Sequence, residues 1–292
     1  MRGFERNGLT FDVREGGPAD GAPVVLLHGF PQDSTAWNQV EPLLHAAGLR
    51  TLAPDQRGYS PGARPRDRAD YRTVDLVDDV LALLDAAGLE SAHVVGHDWG
   101  GAVAWQLAGL HPERVRSLVA LSTPHPRAHG AALRSLPQRL RSLYMLFFMV
   151  PAIPELLLPR TLGRFLRRSG LPASFAAHNV ERMREPGALR GALNWYRALP
   201  LNRATPYPRS TVPTTYLWGS QDNFFHRSAA ELTVKYVEGP YRFVELAASH
   251  WLPETHAAEV AAAITAQVDE EANRQDEAKQ AEAEKQADEA QP

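Results

Sequence analysis

The sequence predicts an α/β fold: a mostly parallel sheet flanked by helices, with an inserted helical cap. Three observations carry this. Short apolar runs of strand length alternate with segments of helical periodicity, joined by short links. The alternation stops after Leu121, and from about Pro126 to Pro208 the chain is rich in Leu, Arg and Pro with helical spacing alone. It then resumes to the end of the core, as expected of a sheet interrupted once by an insertion.

The elements read in order. Val24–Leu27 is an apolar run between Pro23 and His28-Gly29, a buried strand. A helix over Trp37–Ala47 follows from the spacing of Trp37, Val40, Leu43 and Leu44, and ends at Gly48. Leu49–Ala53 is a strand stopped by Pro54. Thr73 is expected to cap a helix through Leu84 that Gly88 terminates. Ala92–Gly96 is a strand, Trp99–Leu110 a helix and Val115–Leu121 a strand. Beyond the cap come strand Thr214–Trp218, helix Ser228–Tyr236, strand Tyr241–Leu246 and helix Ala257–Val268. This divides the chain into core (1–125 and 209–266), cap (126–208) and an acidic tail (267–292). The tail has no apolar stripe and is expected to be disordered.

The 292 residues carry 31 basic and 34 acidic side chains, so no global charge excess points to nucleic acid. From Asp269 onward there are nine acidic and three basic residues, a net of −6 against −3 overall, which leaves about +3 on the body. There are no cysteines, hence no disulfides or thiolate metal sites. The first residues lack the apolar core of a signal peptide. Leu143–Leu158 is too short to span a bilayer and contains Pro151 and Pro154. A cytoplasmic protein without a membrane span, monomer or homodimer, acting on a small molecule, is the expectation.

The chemical signal is Gly96-His97-Asp98-Trp99-Gly100-Gly101, set between a strand and a helix. A sharp strand-to-helix turn needs small residues around its apex. An aspartate stands at that apex where a serine is usual. A serine attacks a carbonyl, whereas a carboxylate attacks an sp³ carbon and gives an alkyl ester. His28-Gly29-Phe30-Pro31 directly follows a strand, Asp222 lies just past a strand in Trp218-Gly219-Ser220-Gln221-Asp222, and His250 lies in Ser249-His250-Trp251.

In this order and spacing the chain resembles the α/β-hydrolase superfamily, in its epoxide hydrolase branch, over about residues 8–266. That branch is related to the haloalkane dehalogenases. The resemblance implies Asp98 as nucleophile, His250 as general base and Asp222 as the acid that orients it. Phe30 and Trp99 would supply oxyanion N–H donors. His97 is expected to point away, His28 to brace the oxyanion loop, and His125 to form a structural corner at the cap entry. Asp55-Gln56-Arg57-Gly58-Tyr59-Ser60 resembles a superfamily loop and is read as an ion-paired scaffold.

Epoxide hydrolases resemble one another in using two cap tyrosines to protonate the leaving oxygen. Asn194-Trp195-Tyr196-Arg197 is similar to the signature around the second of these, and Tyr144, ahead of Phe147-Phe148, to that around the first. Met149 departs from the glutamine many relatives carry. Tyr207, between two prolines, is read as structural. Phe147, Phe148, Met149, Leu157, Phe225 and Trp251 are the expected pocket wall, suited to an apolar or aromatic epoxide. No cofactor and no metal are implied.

Two alternatives stay open. A haloalkane dehalogenase would share Asp98, His250, Asp222 and Trp99, but tends to carry asparagine where Phe30 stands. A non-catalytic ligand binder on the same fold is the other.

Overall fold

The computed structural model describes residues 1–202 and 205–289. Residues 203–204 of the expected cap and 290–292 of the expected tail lie outside the described residues.

Eight strands form one sheet: β1 Gly3–Arg6, β2 Leu9–Gly16, β3 Pro23–Leu27, β4 Arg50–Pro54, β5 Ala92–His97, β6 Val115–Leu121, β7 Thr214–Gly219 and β8 Tyr241–Leu246. Their spatial order is β1-β2-β4-β3-β5-β6-β7-β8, antiparallel at β1–β2 and β2–β4 and parallel from β4 through β8. The inner strands β3, β5 and β7 are buried along their whole length, which is why they read as unbroken apolar runs. β1 and β2 stand outside the alternation read from the sequence. β2 is an edge-side strand that buries only Phe11 and Val13, too few for an apolar run to reveal it.

Ahead of the insertion lie α1 Glu41–Ala46, α2 Thr73–Ala86 and α3 Trp99–Leu110. The insertion is helical: α4 Pro126–Ala132, α5 Leu136–Arg141, α6 Leu143–Met149, α7 Ile153–Arg168, α8 Ala173–Met183 and α9 Ala188–Arg197. After it come α10 Arg227–Leu232, α11 Leu252–Thr255 and α12 Ala257–Glu289.

The structure changes three local expectations. The segment Trp37–Ala47 is a 3₁₀ turn at Ser34–Trp37 followed by α1, because Pro42 favours a helix start there. Thr73 does not cap α2: it is the first helical residue, and its N–H donates to Asn202 Oδ1 at 3.0 Å. The tail from 267 is helical rather than disordered as far as Glu289. Gln267 is buried and its Oε1 accepts from Thr215 Oγ1 at 2.5 Å, Val268 is buried, and Arg242 pairs with Glu270 at 2.9 Å. Beyond these contacts, strong helix formers and close pairs such as Lys279–Asp276 extend the helix without a core behind it.

Candidate active site

All the candidate chemistry lies at the carboxyl ends of parallel strands, where an open α/β sheet leaves its crevice. His28-Gly29-Phe30 follows β3, Asp98 follows β5, Asp222 follows β7 and His250 follows β8.

Asp98 sits at φ 51° and ψ −120°, a left-handed conformation that costs a non-glycine residue on the order of 1–3 kcal/mol. Tight packing holds it there. A Cβ on Gly100 would lie 2.2 Å from the Leu27 carbonyl oxygen, so only glycine lets α3 start this close to β3. A Cβ on Gly29 would lie 2.3 Å from Cβ of Asp98 and 2.5 Å from its Oδ1, so the preceding loop makes room for the carboxylate itself.

The Phe30 N–H donates to Asp98 Oδ1 at 2.8 Å. Trp99 opens α3, so its N–H has no acceptor within the helix. The other carboxylate oxygen, Oδ2, lies 3.5 Å from His250 Nε2. On the far side of the ring, His250 Nδ1 is 2.8 Å from Asp222 Oδ2, while Asp222 Oδ1 accepts from the N–H groups of Phe224 (2.6 Å) and Phe225 (3.0 Å). His250 and Asp222 are each 1% exposed.

Burial alone would drive the His250 proton off, but Asp222 and Asp98 outweigh it and push the ring up to about 10. Burial likewise opposes ionisation of Asp98; the hydrogen bond and charge of His250, with the Phe30 N–H, hold its carboxyl below the ordinary range. The resting site is thus an imidazolium between two carboxylates. His250 binds its proton more tightly folded than unfolded, where its value is the ordinary 6.5. Its contribution to stability is therefore full below about pH 6.5 and is lost as pH rises through about 10. Thermal melts between these limits should show the wild type losing melting temperature with rising pH and His250→Gln following a flatter curve. Parallel curves would contradict this assignment.

Behind His250, His97 turns away from the cavity. Its ring nitrogens reach Gln32 Oε1 and the His250 carbonyl oxygen, each at 2.9 Å, and Ser122 Oγ donates to that same carbonyl at 2.6 Å. Gln32 also bonds buried Glu254, which burial pushes up to about 7. His28 braces the first loop: its Nε2 accepts from the Gln56 N–H at 3.1 Å. His125 Nδ1 accepts from the Arg127 N–H at 3.1 Å, capping α4. In the loop after β4, Arg57 pairs with Asp79 at 2.7 Å and Asp55 with Arg182 at 3.0 Å.

The inserted helices close over Asp98 and leave a cavity of about 250 Å³. Tyr144, Tyr196, Trp99 and Phe225 line it with Asp98; Met145, Ala102 and Leu199 add apolar wall, and His129, Asn202 and Thr123 polar wall. A second space of about 10 Å³ lies among Asp98, His250, Tyr144, Tyr196, Phe224 and Trp251. The two tyrosine rings are 6.1 Å apart between centroids, and Tyr196 stands edge-on to Phe30 (5.5 Å) and Trp99 (5.0 Å). Burial, reinforced by the charge of Asp98, pushes both phenols well above 10, so each keeps its proton.

The expected pocket wall needs correction. Phe147, Met149 and Leu157 line neither space: on α6 Tyr144 and Met145 face the cavity while Phe148, four residues on from Tyr144, is buried beside it, and on α7 the inward face is Leu158, Leu162 and Leu166. Leu157 is 45% exposed. Phe148 is buried against Phe30, Tyr144 and Tyr196 and props the tyrosines instead. Tyr207, expected to be only structural, lines the cavity and bonds Thr73 Oγ1 at 3.3 Å. Phe224 and Phe165 were missing from the expected wall. Phe224 lies two residues past Asp222, and Phe165 lies on the same inward half of α7 as Leu162 and Leu166.

Residues 22–257 match the family model described as alpha/beta hydrolase fold. The chain is 40% identical over 257 residues to the AB hydrolase superfamily protein YfhM of Bacillus subtilis, covering 84% of this chain and 90% of that protein. It is 33% identical over 304 residues to epoxide hydrolase A of Mycobacterium tuberculosis, covering 89% and 94%. The crystal structure of epoxide hydrolase A from Mycobacterium thermoresistibile superposes with a TM-score of 0.77 at 29% identity, covering 91% of this chain and 97% of that one.

Proposed function

The chain belongs to the α/β-hydrolase fold family, and from that premise and the geometry of its site we propose that it hydrolyses apolar or aromatic epoxides to vicinal diols. The observation that carries the reading is one cavity lined at once by an apex carboxylate and two protonated phenols. The names of relatives such as the mycobacterial epoxide hydrolases support it.

Asp98 Oδ2 attacks an epoxide carbon, the carbon–oxygen bond of the ring breaks, and the released alkoxide takes a proton from Tyr144 or Tyr196. The ester then has no charge on Asp98, so one cause of the high His250 pKa is gone; the ring passes its proton to the phenolate and, now neutral, becomes able to accept one. The 10 Å³ space between Asp98 and His250 has room for about one water. His250 takes a proton from that water as it attacks Cγ of Asp98, and negative charge builds on Oδ1, where the Phe30 N–H already points. Collapse breaks the bond from Cγ to the alkoxy oxygen, which takes the proton of the new carboxyl hydroxyl and leaves as the diol; Asp98 is again a carboxylate and His250 again carries its proton.

Phe30 offers only its backbone N–H to the site; a halide would want a side-chain donor there, and the phenols serve an alkoxide better. The tyrosine pair supplies the test. Tyr196→Phe and Tyr144→Phe should each lower kcat for an aryl epoxide by about 10²-fold, the cost of removing one aimed donor, with the double variant lower still. Turnover of haloalkanes with epoxides inert, or phenylalanine variants as active as the wild type, would overturn the reading.

A further inference from the structure

The outer surface of the cap is unlike the rest of the protein. Nine of the twelve exposed large aliphatic side chains among the described residues lie between Leu133 and Leu157. On α5 and α6, Leu136, Leu140, Leu143 and Leu146 are 54–63% exposed. On α7, Ile153 and Leu156 are 51% and 67% exposed. These are large apolar groups in water with no cover.

Arginines rim this surface. Arg134, Arg139, Arg160, Arg164, Arg167 and Arg168 are all exposed, and among the described residues none of them forms an ion pair. The contrast with Arg64, Arg182 and Arg197 in the same region is direct, since each of those holds a carboxylate. Glu155 is the single acid between residues 126 and 168, and it is engaged by Arg197 at 2.7 Å.

On α7 the aliphatic and basic groups share one face. On α7 the outward positions 153, 156, 157, 160, 164 and 167 fall at helical spacing, aliphatic in the first turns and basic after them, while Leu158, Leu162 and Leu166 pack inward. On their buried sides Tyr144 and Phe148 of α6 contact Phe165 of α7, so the two helices adjoin.

We propose that this face docks the enzyme on an anionic phospholipid surface. Exposed aliphatics enter the headgroup boundary while arginines, their stems lying along the apolar surface, engage lipid phosphates. Large exposed apolar patches rimmed by polar groups mark such contacts. No helix among the described residues is long and apolar enough to cross a membrane, so the attachment is peripheral. A second copy of the chain is a poorer occupant: a face bearing Arg160, Arg164 and Arg167 without ion pairs would meet the same three on its partner. The acidic segment of α12 matches the charge but has no apolar stripe to cover the leucines. Position gives the contact a use, because the cavity-lining Gly130 and Met145 stand beside the exposed Leu133 and Leu146 on α4–α6.

The test is co-sedimentation of the full chain with vesicles of phosphatidylcholine alone and of phosphatidylcholine with phosphatidylglycerol. The wild type should pellet with the anionic vesicles and far less with the neutral ones. Arg160→Glu/Arg164→Glu/Arg167→Glu should lower partitioning by at least about 100-fold, from roughly fivefold per arginine removed. Leu140→Gln/Leu143→Gln/Leu156→Gln should lower it by at least about tenfold. Unchanged thermal melts establish that both variants fold, and no substrate enters the measurement, so its result is separate from the reading of the active site. Wild type left in the supernatant with both vesicle types, or variants binding as well as wild type, would refute the proposal. So would a dimer, seen by sedimentation equilibrium, that the leucine substitutions dissociate while vesicle binding stays intact.

Discussion

Asp98→Ala should lose epoxide turnover by at least about 10⁴-fold, the scale seen when a covalent nucleophile is removed. Everything else in the proposed mechanism acts on a bond that Asp98 makes. Without it His250 has no ester to hydrolyse, and the phenols have no opening ring to protonate. The backbone at φ 51° stays held by the packing around Gly29 and Gly100, and the substitution removes one of the two negative partners of His250. The variant should therefore fold and keep the cavity, with a His250 pKa lowered by loss of the Asp98 charge. Binding of an unreactive diol, followed by calorimetry, should change little. Residual turnover within tenfold of wild type would mean that water attacks the epoxide directly and Asp98 only caps α3.

His250→Gln should separate the two half-reactions. Hydrolysis of the ester needs a base beside the attacking water, and loss of such a group costs about 10²–10⁴-fold. Ring opening needs Asp98 and the tyrosines but not the imidazole. The variant should consume about one epoxide per active site and then stop, gaining the mass of a whole epoxide on the peptide that contains Asp98. A gain equal to a haloalkane less hydrogen halide, with no epoxide adduct, would favour dehalogenation instead. No adduct from either class would favour a ligand-binding protein.

Much of this arrangement was legible in the sequence because it is written locally. Five buried strands announce themselves as apolar runs and β8 as a half-buried one, and the glycines around Asp98 mark a turn that only close backbone approach demands. The acid and the histidine follow in chain order, each just past a strand, and the structure brings them within 2.8 Å of one another. The pocket wall was less legible. Phe147 and Met149 look equivalent to Phe148 in a list of apolar residues, and only the rotation of α6 against the core decides which one points inward. The same holds for Leu157 beside Leu158 on α7. β1, at the sheet edge, and β2 beside it were hidden because strands there bury few apolar residues. The tail was misread because composition without an apolar face argues against packing, not against helix. Gln267, Val268 and Glu270 extend its anchorage past the last apolar stripe.

The most direct measurement is a single turnover in ¹⁸O-labelled water, with enzyme in excess over an aryl epoxide such as styrene oxide. The account predicts that the label enters the carboxylate of Asp98, found in its peptide by mass spectrometry, while the diol of that first turnover carries none. A diol labelled in the first turnover, with Asp98 unlabelled, would contradict it.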